Sequence, residues 1–345
     1  MLAAAIPARA FQVQGIFQFG PAHVGIAFTD SVNAAQATEP SHYTLTPTGG
    51  APAVSIQSVA LQENQRTVIL TITATLPASS TYNVAVSGVT SRQGAALDPG
   101  GPTSFTTVAG TVLGIAQVHE QIGTLDGQTI TVIGQVYIRP TTTTPASGFI
   151  QDGTGRGLNI FGSTVPAGAD VIGNVLKVTG TADLYFTTVE VTTYSATVLA
   201  TGMPHLAPRV LTVAQAASSQ WEGTYIRTTA TLTGPPVASG SYNYNYDAQD
   251  GGVDFDFRVR NATGISPTGF TTGDVVTGAG AGSKYQTTYQ IQVGNAADFF
   301  EGTGTGDITP PALVSAAGAG GGTSVTVQFS EPVAAGASTA GNYSV

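Results

Sequence analysis

Two internal duplications, one nested inside the other, dominate this chain. Residues 24–45 read VGIAFTDSVNAAQATEPSHYTL, and residues 325–345 read VTVQFSEPVAAGASTAGNYSV. Val24, Phe28, Val32 and Tyr43 answer to Val325, Phe329, Val333 and Tyr343. Between these copies lies a second pair. LGIAQ at 113–117 answers to LTVAQ at 211–215, and Gln151-Asp152-Gly153 to Gln249-Asp250-Gly251. Val178-Thr179-Gly180 answers to Val276-Thr277-Gly278, and YFTTVEV at 185–191 to YQTTYQI at 285–291. Four matches in one order make two small domains of one fold, each roughly 90 residues long. Such a chain folds as a string of modules. The outer duplication breaks off at residue 345, inside a domain by the measure of its first copy. The expectation is a fragment of a longer modular protein, or a tail completed by another chain.

The local pattern is that of short strands. VGIAF, AVSIQSVAL, TVILTIT and TYNVAVSGV alternate apolar and polar residues between Pro, Gly, Ser and Asn, which signals an antiparallel β-sandwich over 11–108. Val68, Leu70 and Ile72 share one face of a strand, and Tyr82, Val84 and Val86 one face of another. The 44 glycines and 19 prolines suit tight turns, and no stretch suggests a long amphipathic helix. Charged residues are only 9%, against roughly 25% in an ordinary soluble domain. The net charge of −9 argues against broad attraction to polyanions. Cysteine is absent, which excludes disulfides and thiolate metal sites and fits an exported protein. No apolar run approaches the ~18 residues that span a bilayer. Residues 1–10 read as a leader, with Ala8-Arg9-Ala10 in an A-x-A pattern.

Phe28-Thr29-Asp30-Ser31-Val32, the later His42-Tyr43-Thr44-Leu45, RTVILTI and YNVAVSGV follow one another in a specific order. This order resembles the Ig-like domain of bacterial S-layer and other surface proteins. The resemblance covers 11–108 and, through Phe329-Ser330-Glu331-Pro332-Val333, a truncated copy at 312–345. It implies spacers, adhesive units or lattice units at a bacterial cell surface, without a general catalytic site. The inner repeats, 111–202 and 203–301, resemble the OB-fold modules beside extracellular nucleases and other secreted bacterial enzymes. That implies five-stranded closed barrels whose faces and rim loops bind nucleic acid or sugars. The second copy departs from this pattern where Gly278-Ala279-Gly280-Ala281-Gly282 replaces apolar alternation. Residues 302–311, rich in Gly and ending in a Pro pair, read as a linker. The expected fold class is therefore all-β: an Ig-like β-sandwich, two tandem OB-like five-stranded barrels and a partial Ig-like domain.

Enzymatic signatures are missing. His23, His42, His119 and His205 are scattered, with no metal-binding or nucleophile motif around them. His119 and Glu120 are adjacent, which on a strand puts them on opposite faces. His119 then reads as a satisfied or solvated surface group. Tyr242, Tyr244 and Tyr246 fall on one strand face and make a candidate stacking row for bases or sugars, or else barrel packing. Arg139 and Lys177 are candidate partners for such a ligand. Asp250, Asp254 and Asp256 form an oxygen-rich group, a candidate for Ca²⁺ or a solvated strand face, without the spacing of a Ca²⁺ loop. Asn261 and Asn342 open glycosylation sequons. Val325, Val327 and Phe329 make an apolar strip that accepts or donates a strand between chains.

Two functions are expected from this set. One is a non-enzymatic extracellular subunit of a surface layer or filament, self-associating through β-strand contacts. The other is a nucleic-acid- or polysaccharide-binding accessory region of a larger secreted nuclease or hydrolase.

Overall fold

The computed structural model describes residues 10–140, 146–240, 243–302, 313–318 and 325–329. They divide into two compact units, one up to residue 303 and one from residue 304.

The first unit opens with strands β1 (Val13–Gln18), β2 (His23–Phe28), β3 (Tyr43–Thr48), β4 (Ile56–Leu61), β5 (Thr67–Ile72), β6 (Thr81–Val86) and β7 (Ser104–Thr106). A short helix, α1 (Ala34–Ala37), capped by the Asn33 side chain, sits between β2 and β3. One sheet runs β1-β2-β5-β4 and a second runs β3-β6-β7. Val24, Ile26, Phe28, Val68 and Leu70 meet Tyr82, Val84 and Phe105 in the sandwich core. Period-two alternation predicts this face, and the residues fall on it. The other face of β5 is buried as well: Ile69 is 2% exposed. A run such as VILTI, apolar at consecutive positions, fits a strand covered on both sides.

Residues 111–202 carry helix α2 (Ile115–Leu125) and strands β8 (Thr129–Ile138), β9 (Ala146–Gln151), β10 (Gly157–Gly162), β11 (Val175–Tyr185) and β12 (Thr188–Ala200). The strands close into a barrel in the order β10-β12-β11-β8-β9. β10 and β12 run parallel, and β9–β10 antiparallel. The helix departs from the strand-only expectation. Ile115, Val118, Ile122 and Leu125 recur at spacings of three, four and three, and pack on the barrel core.

Residues 203–302 carry β13 (Arg209–Val210), α3 (Val213–Ala216), β14 (Tyr225–Leu232), β15 (Val237–Ser239), β16 (Asn243–Asp250), β17 (Val253–Arg260), β18 (Val275–Tyr285), β19 (Thr288–Val293) and β20 (Phe299–Glu301). Helix α3 begins in a capping box between Thr212 and Gln215. β14 pairs with β16 on one side and β18 on the other, so β14-β16-β17-β19-β18 also returns on itself. Here β17 and β19 are the parallel pair. The glycines of β18 have a packing cause. A Cβ on Gly278 would lie 2.5 Å from the Phe257 ring, and one on Gly280 2.1 Å from the Gln292 carbonyl oxygen.

The three parts of this unit share one further core. Phe17, Phe19 and Ile69 of the sandwich, Ile133, Tyr137 and Phe149 of the first barrel, and Tyr225, Ala279 and Ala281 of the second are buried together. Polar bonds cross the same contacts. Arg260 Nη1 donates to the Ser147 carbonyl at 2.8 Å, and Asn295 Nδ2 to the Tyr137 carbonyl at 3.1 Å. The Gly153 amide donates to the Phe19 carbonyl at 2.8 Å.

In the second unit, β21 (Leu313–Gly318) and β22 (Val325–Phe329) form an antiparallel pair. Leu313 opposes Phe329, the register then shifts by one at Ser315, and Gly318 opposes Val325. The first hairpin of the sandwich has the same plan: Val13 opposes Phe28, the register shifts at Gly15, and Gln18 opposes Val24. The two hairpins thus share a bulge as well as a pairing, the bulge lying in the strand that precedes each duplicated segment. The rest of 312–345, and residues 1–9 and 303–311, lie outside the described residues.

Candidate functional site

Within the candidate tyrosine row, Tyr246 faces inward. Tyr246 on β16 is 1% exposed, with its ring 5.2 Å from Phe299 and its hydroxyl donating to the Pro267 carbonyl at 3.3 Å. Tyr244 is half-buried against the same core, and Tyr242 lies outside the described residues. Of the two readings of this row, Tyr246 takes the one of barrel packing, and Tyr244 lies partly buried beside it. Alternation says which residues share a face. It does not say whether that face points in, and β17 opposite supplies Phe255, Phe257 and Val259 to the interior. The basic candidates are not brought together. Lys177 pairs in register with Ile133 and donates to the Ala109 carbonyl at 3.4 Å, while exposed Arg139 follows the far end of β8.

The acidic residues share the β16–β17 hairpin but hold no metal geometry. Among the described residues, no group of three His, Cys, Asp or Glu side chains is placed to bind a metal ion. Asp250 and Asp254 are exposed, and Gln249 Nε2 donates to Asp254 Oδ1 at 3.0 Å. Asp256 opposes Asp247 across the ladder. Partial burial first, then the charges of Asp247 and Asp254, push its carboxyl up to about 6. Asn261 is exposed in a short turn, and Asn342 lies outside the described residues.

A cluster of titratable groups gathers where the two barrels meet, where no sequence motif points. His119 is on helix α2, not on a strand, and its side chain is 9% exposed rather than solvated. Its Nε2 lies 2.8 Å from the Gly157 carbonyl, and its Nδ1 lies 3.3 Å from Glu222 Oε2 of the second barrel. A carbonyl only accepts, so Nε2 carries the hydrogen. Nδ1 then has no hydrogen of its own and lies within reach of a protonated Glu222 carboxyl, which the Val189 amide also approaches. A carboxyl taken out of water holds its proton more tightly. Burial pushes Glu222 up to about 8, with the Val189 amide and then the Arg156 charge opposing and Glu190 reinforcing the shift. Burial, then the Arg156 charge, lowers His119 to about 4.

Asp152 and Glu190 complete the cluster. Asp152 Oδ2 accepts the Ile115 amide at 2.8 Å at the start of α2. Burial nonetheless raises it to about 7 against the hydrogen bonds from Thr154 and Ile115. Burial and then Asp183 raise Glu190 to about 7. A second buried group lies nearby in the shared core. The Tyr137 and Tyr225 rings stack at 4.8 Å, Tyr137 donates to the Gly223 carbonyl, and Tyr225 donates to Asp298 Oδ1 at 2.9 Å. Shifted groups in a cleft would suggest chemistry. Here they are largely buried, and His119 and Glu222 meet across the two barrels. The signal for them in the sequence is slight: Gln-Asp-Gly at 151–153 reads only as a turn.

A groove of about 460 Å³ runs along the sandwich, lined in part by Val13, Val84, Val86 and Leu97. No helix among the described residues is long and apolar enough to cross a membrane.

Residues 18–107 match the family described as Bacterial Ig-like domain. No curated protein matches the chain. Among solved structures, it is similar to the N-terminal part of the bacterial S-layer protein SbsC at 18% identity and a TM-score of 0.29. That match covers 56% of this chain and 42% of the other, so the chain spans less than half of that structure's length. The S-layer protein rSbsC(31-844) is similar at 15% identity and a TM-score of 0.29, over 93% of this chain and 46% of the other. A murine DNA binding protein bound with double-stranded DNA is similar at 14% identity and a TM-score of 0.28, over 50% of this chain and 94% of the other. The family match places a bacterial Ig-like domain at residues 18–107 of an all-β protein.

Proposed function

We propose that the chain is a non-enzymatic structural subunit of an extracellular bacterial surface layer or filament, assembling through β-strand contacts. One observation carries this reading. The sandwich and both barrels bury a common core in which Phe17, Ile69, Tyr137 and Tyr225 pack together. A ligand-handling protein gains from modules that move. A subunit that bears mechanical load gains from modules that cannot.

The bacterial Ig-like match at 18–107 supports a surface setting. The contact between subunits falls to β22. It repeats the edge-forming hairpin of the first domain, and among the described residues β22 pairs with β21 alone. Val325, Val327 and Phe329 occupy alternate positions on this strand, with Val327 half-buried. Its counterpart β2 pairs with β5 as well as with β1, and a strand from a second chain on that side of β22 would complete the same arrangement.

The test is assembly itself. Sedimentation velocity over a concentration series, with electron microscopy of the same samples, is expected to show growth into regular sheets or fibres. Removing residues 304–345 should leave a folded monomer. Growth that persists without this segment rules out the β22 contact.

A further inference from the structure

We propose that the paired tips of the β11–β12 and β18–β19 hairpins form a docking platform for a neutral polysaccharide. Both hairpins end in two-residue turns. Tyr185 opposes Thr188 across Phe186-Thr187, and Tyr285 opposes Thr288 across Gln286-Thr287. The Thr187 hydroxyl donates to the Lys284 carbonyl at 3.4 Å, so the two tips stand side by side although they belong to different barrels.

The tips expose large apolar groups together. Phe186 is 84% exposed, Tyr185 62%, Tyr285 54% and Leu184 42%. The Tyr185 and Phe186 rings meet edge to face, 4.8 Å apart at 82°. The backbone adds a second observation. Phe186 has φ 54° and Gln286 φ 52°, the left-handed region that favours Gly or Asn in such turns. A bulky residue there costs backbone energy. A phenyl ring that packs on no core and sits in a strained turn adds nothing to folding, and an outward contact accounts for both facts.

The chemistry of the tips selects the occupant. A sugar ring has an apolar C–H face and a rim of hydroxyls. Aromatic faces take the first, and Thr187, Thr188, Thr287 and Thr288 offer neutral donors and acceptors for the second. A phosphate backbone needs several free cations. Lys284 is held over the Tyr289 ring at 4.9 Å, and half-buried Arg258 has partners of its own. Behind the first tip Asp183 opposes Glu190 across the ladder, and the chain as a whole carries −9. Electrostatics therefore disfavour nucleic acid and leave an uncharged glycan.

The test uses the full chain in native gels cast with dextran, xylan or mannan. Fluorescence anisotropy with oligo(dT) and flotation with phosphatidylcholine vesicles provide the other arms. Retardation is expected in at least one polysaccharide gel, with apparent affinity at least fivefold lower for both Phe186→Asn and Tyr285→Ser. Asn suits the left-handed turn, so F186N should melt no lower than the parent, which separates lost binding from lost folding. No retardation in any of the three gels, retardation unchanged in both variants, or binding to oligo(dT) or vesicles alone overturns the proposal. The assembly reading is tested apart from it, because removing residues 304–345 leaves both tips in place.

Discussion

Glu222 makes the stability of this protein depend on pH in a defined direction. Its carboxyl, raised by burial to about 8, keeps a proton that the unfolded chain releases near 4.5. Its contribution is therefore fully present below pH 4.5 and is lost as pH rises through 8. Asp152 and Glu190, both raised to about 7, act in the same sense. His119 acts oppositely: lowered from 6.5 to about 4, its contribution is present above 6.5 and lost as pH falls through 4. Between pH 6.5 and 8 only the carboxyls of this cluster titrate, so the melting temperature should fall across that window. Glu222→Gln cannot ionise and should show a shallower fall, melting above the parent at pH 8.5. Scanning calorimetry at three pH values checks this; parallel slopes for the two proteins would refute it. Close backbone approach gives a second prediction at this scale. A Cβ on Gly157 would lie 1.9 Å from the Gly223 carbonyl oxygen across the barrel interface. Gly157→Ala should destabilise by about 1–3 kcal/mol, the usual range for overpacking, as read from urea unfolding.

At the scale of elements, strands are legible in the sequence to the extent that periodicity fixes them. Val68, Leu70 and Ile72 line the sandwich core on the face their alternation assigns them. The row of Tyr244 and Tyr246 shows the limit. Period two puts them on one face, but only the partner strand, with Phe255 and Phe257, decides that the face is interior. Helix α2 escapes notice because a chain dense in strand signals makes an eleven-residue amphipathic segment easy to pass over, and His119 goes with it. The inter-barrel cluster is illegible for another reason. It joins residues from α2, the turn after β9, β12 and the approach to β14, and no local pattern brings those together. Since Tyr246 fills the barrel rather than binding a ligand, Tyr246→Ala should cost about 3–5 kcal/mol, like other large aromatic truncations. It should leave polysaccharide retardation unchanged. Lost binding at retained stability would restore the stacking row.

For the molecule up to residue 302, the shared core makes a claim about cooperativity. The sandwich and the barrels each have an interior of their own. On those interiors alone, three modules would unfold independently. The common core changes the expectation, because separating the sandwich from the barrels exposes Phe17, Phe19 and Ile69 on one side and Ile133, Tyr137 and Met203 on the other. One calorimetric transition is therefore expected for these modules, with the calorimetric enthalpy equal to the van't Hoff value. Phe17 is the residue to remove. It is 3% exposed, stands edge to face with Phe19 at 5.3 Å, and is buried in the common core rather than in the sandwich's own. Phe17→Ala should cost about 3–5 kcal/mol at the junction while sparing the sandwich interior. The single transition should then split, with the sandwich and the barrels melting apart. A lower but still single transition would mean that the modules are coupled by the polar bonds across the junction instead, and that the common core is not what makes the unit rigid.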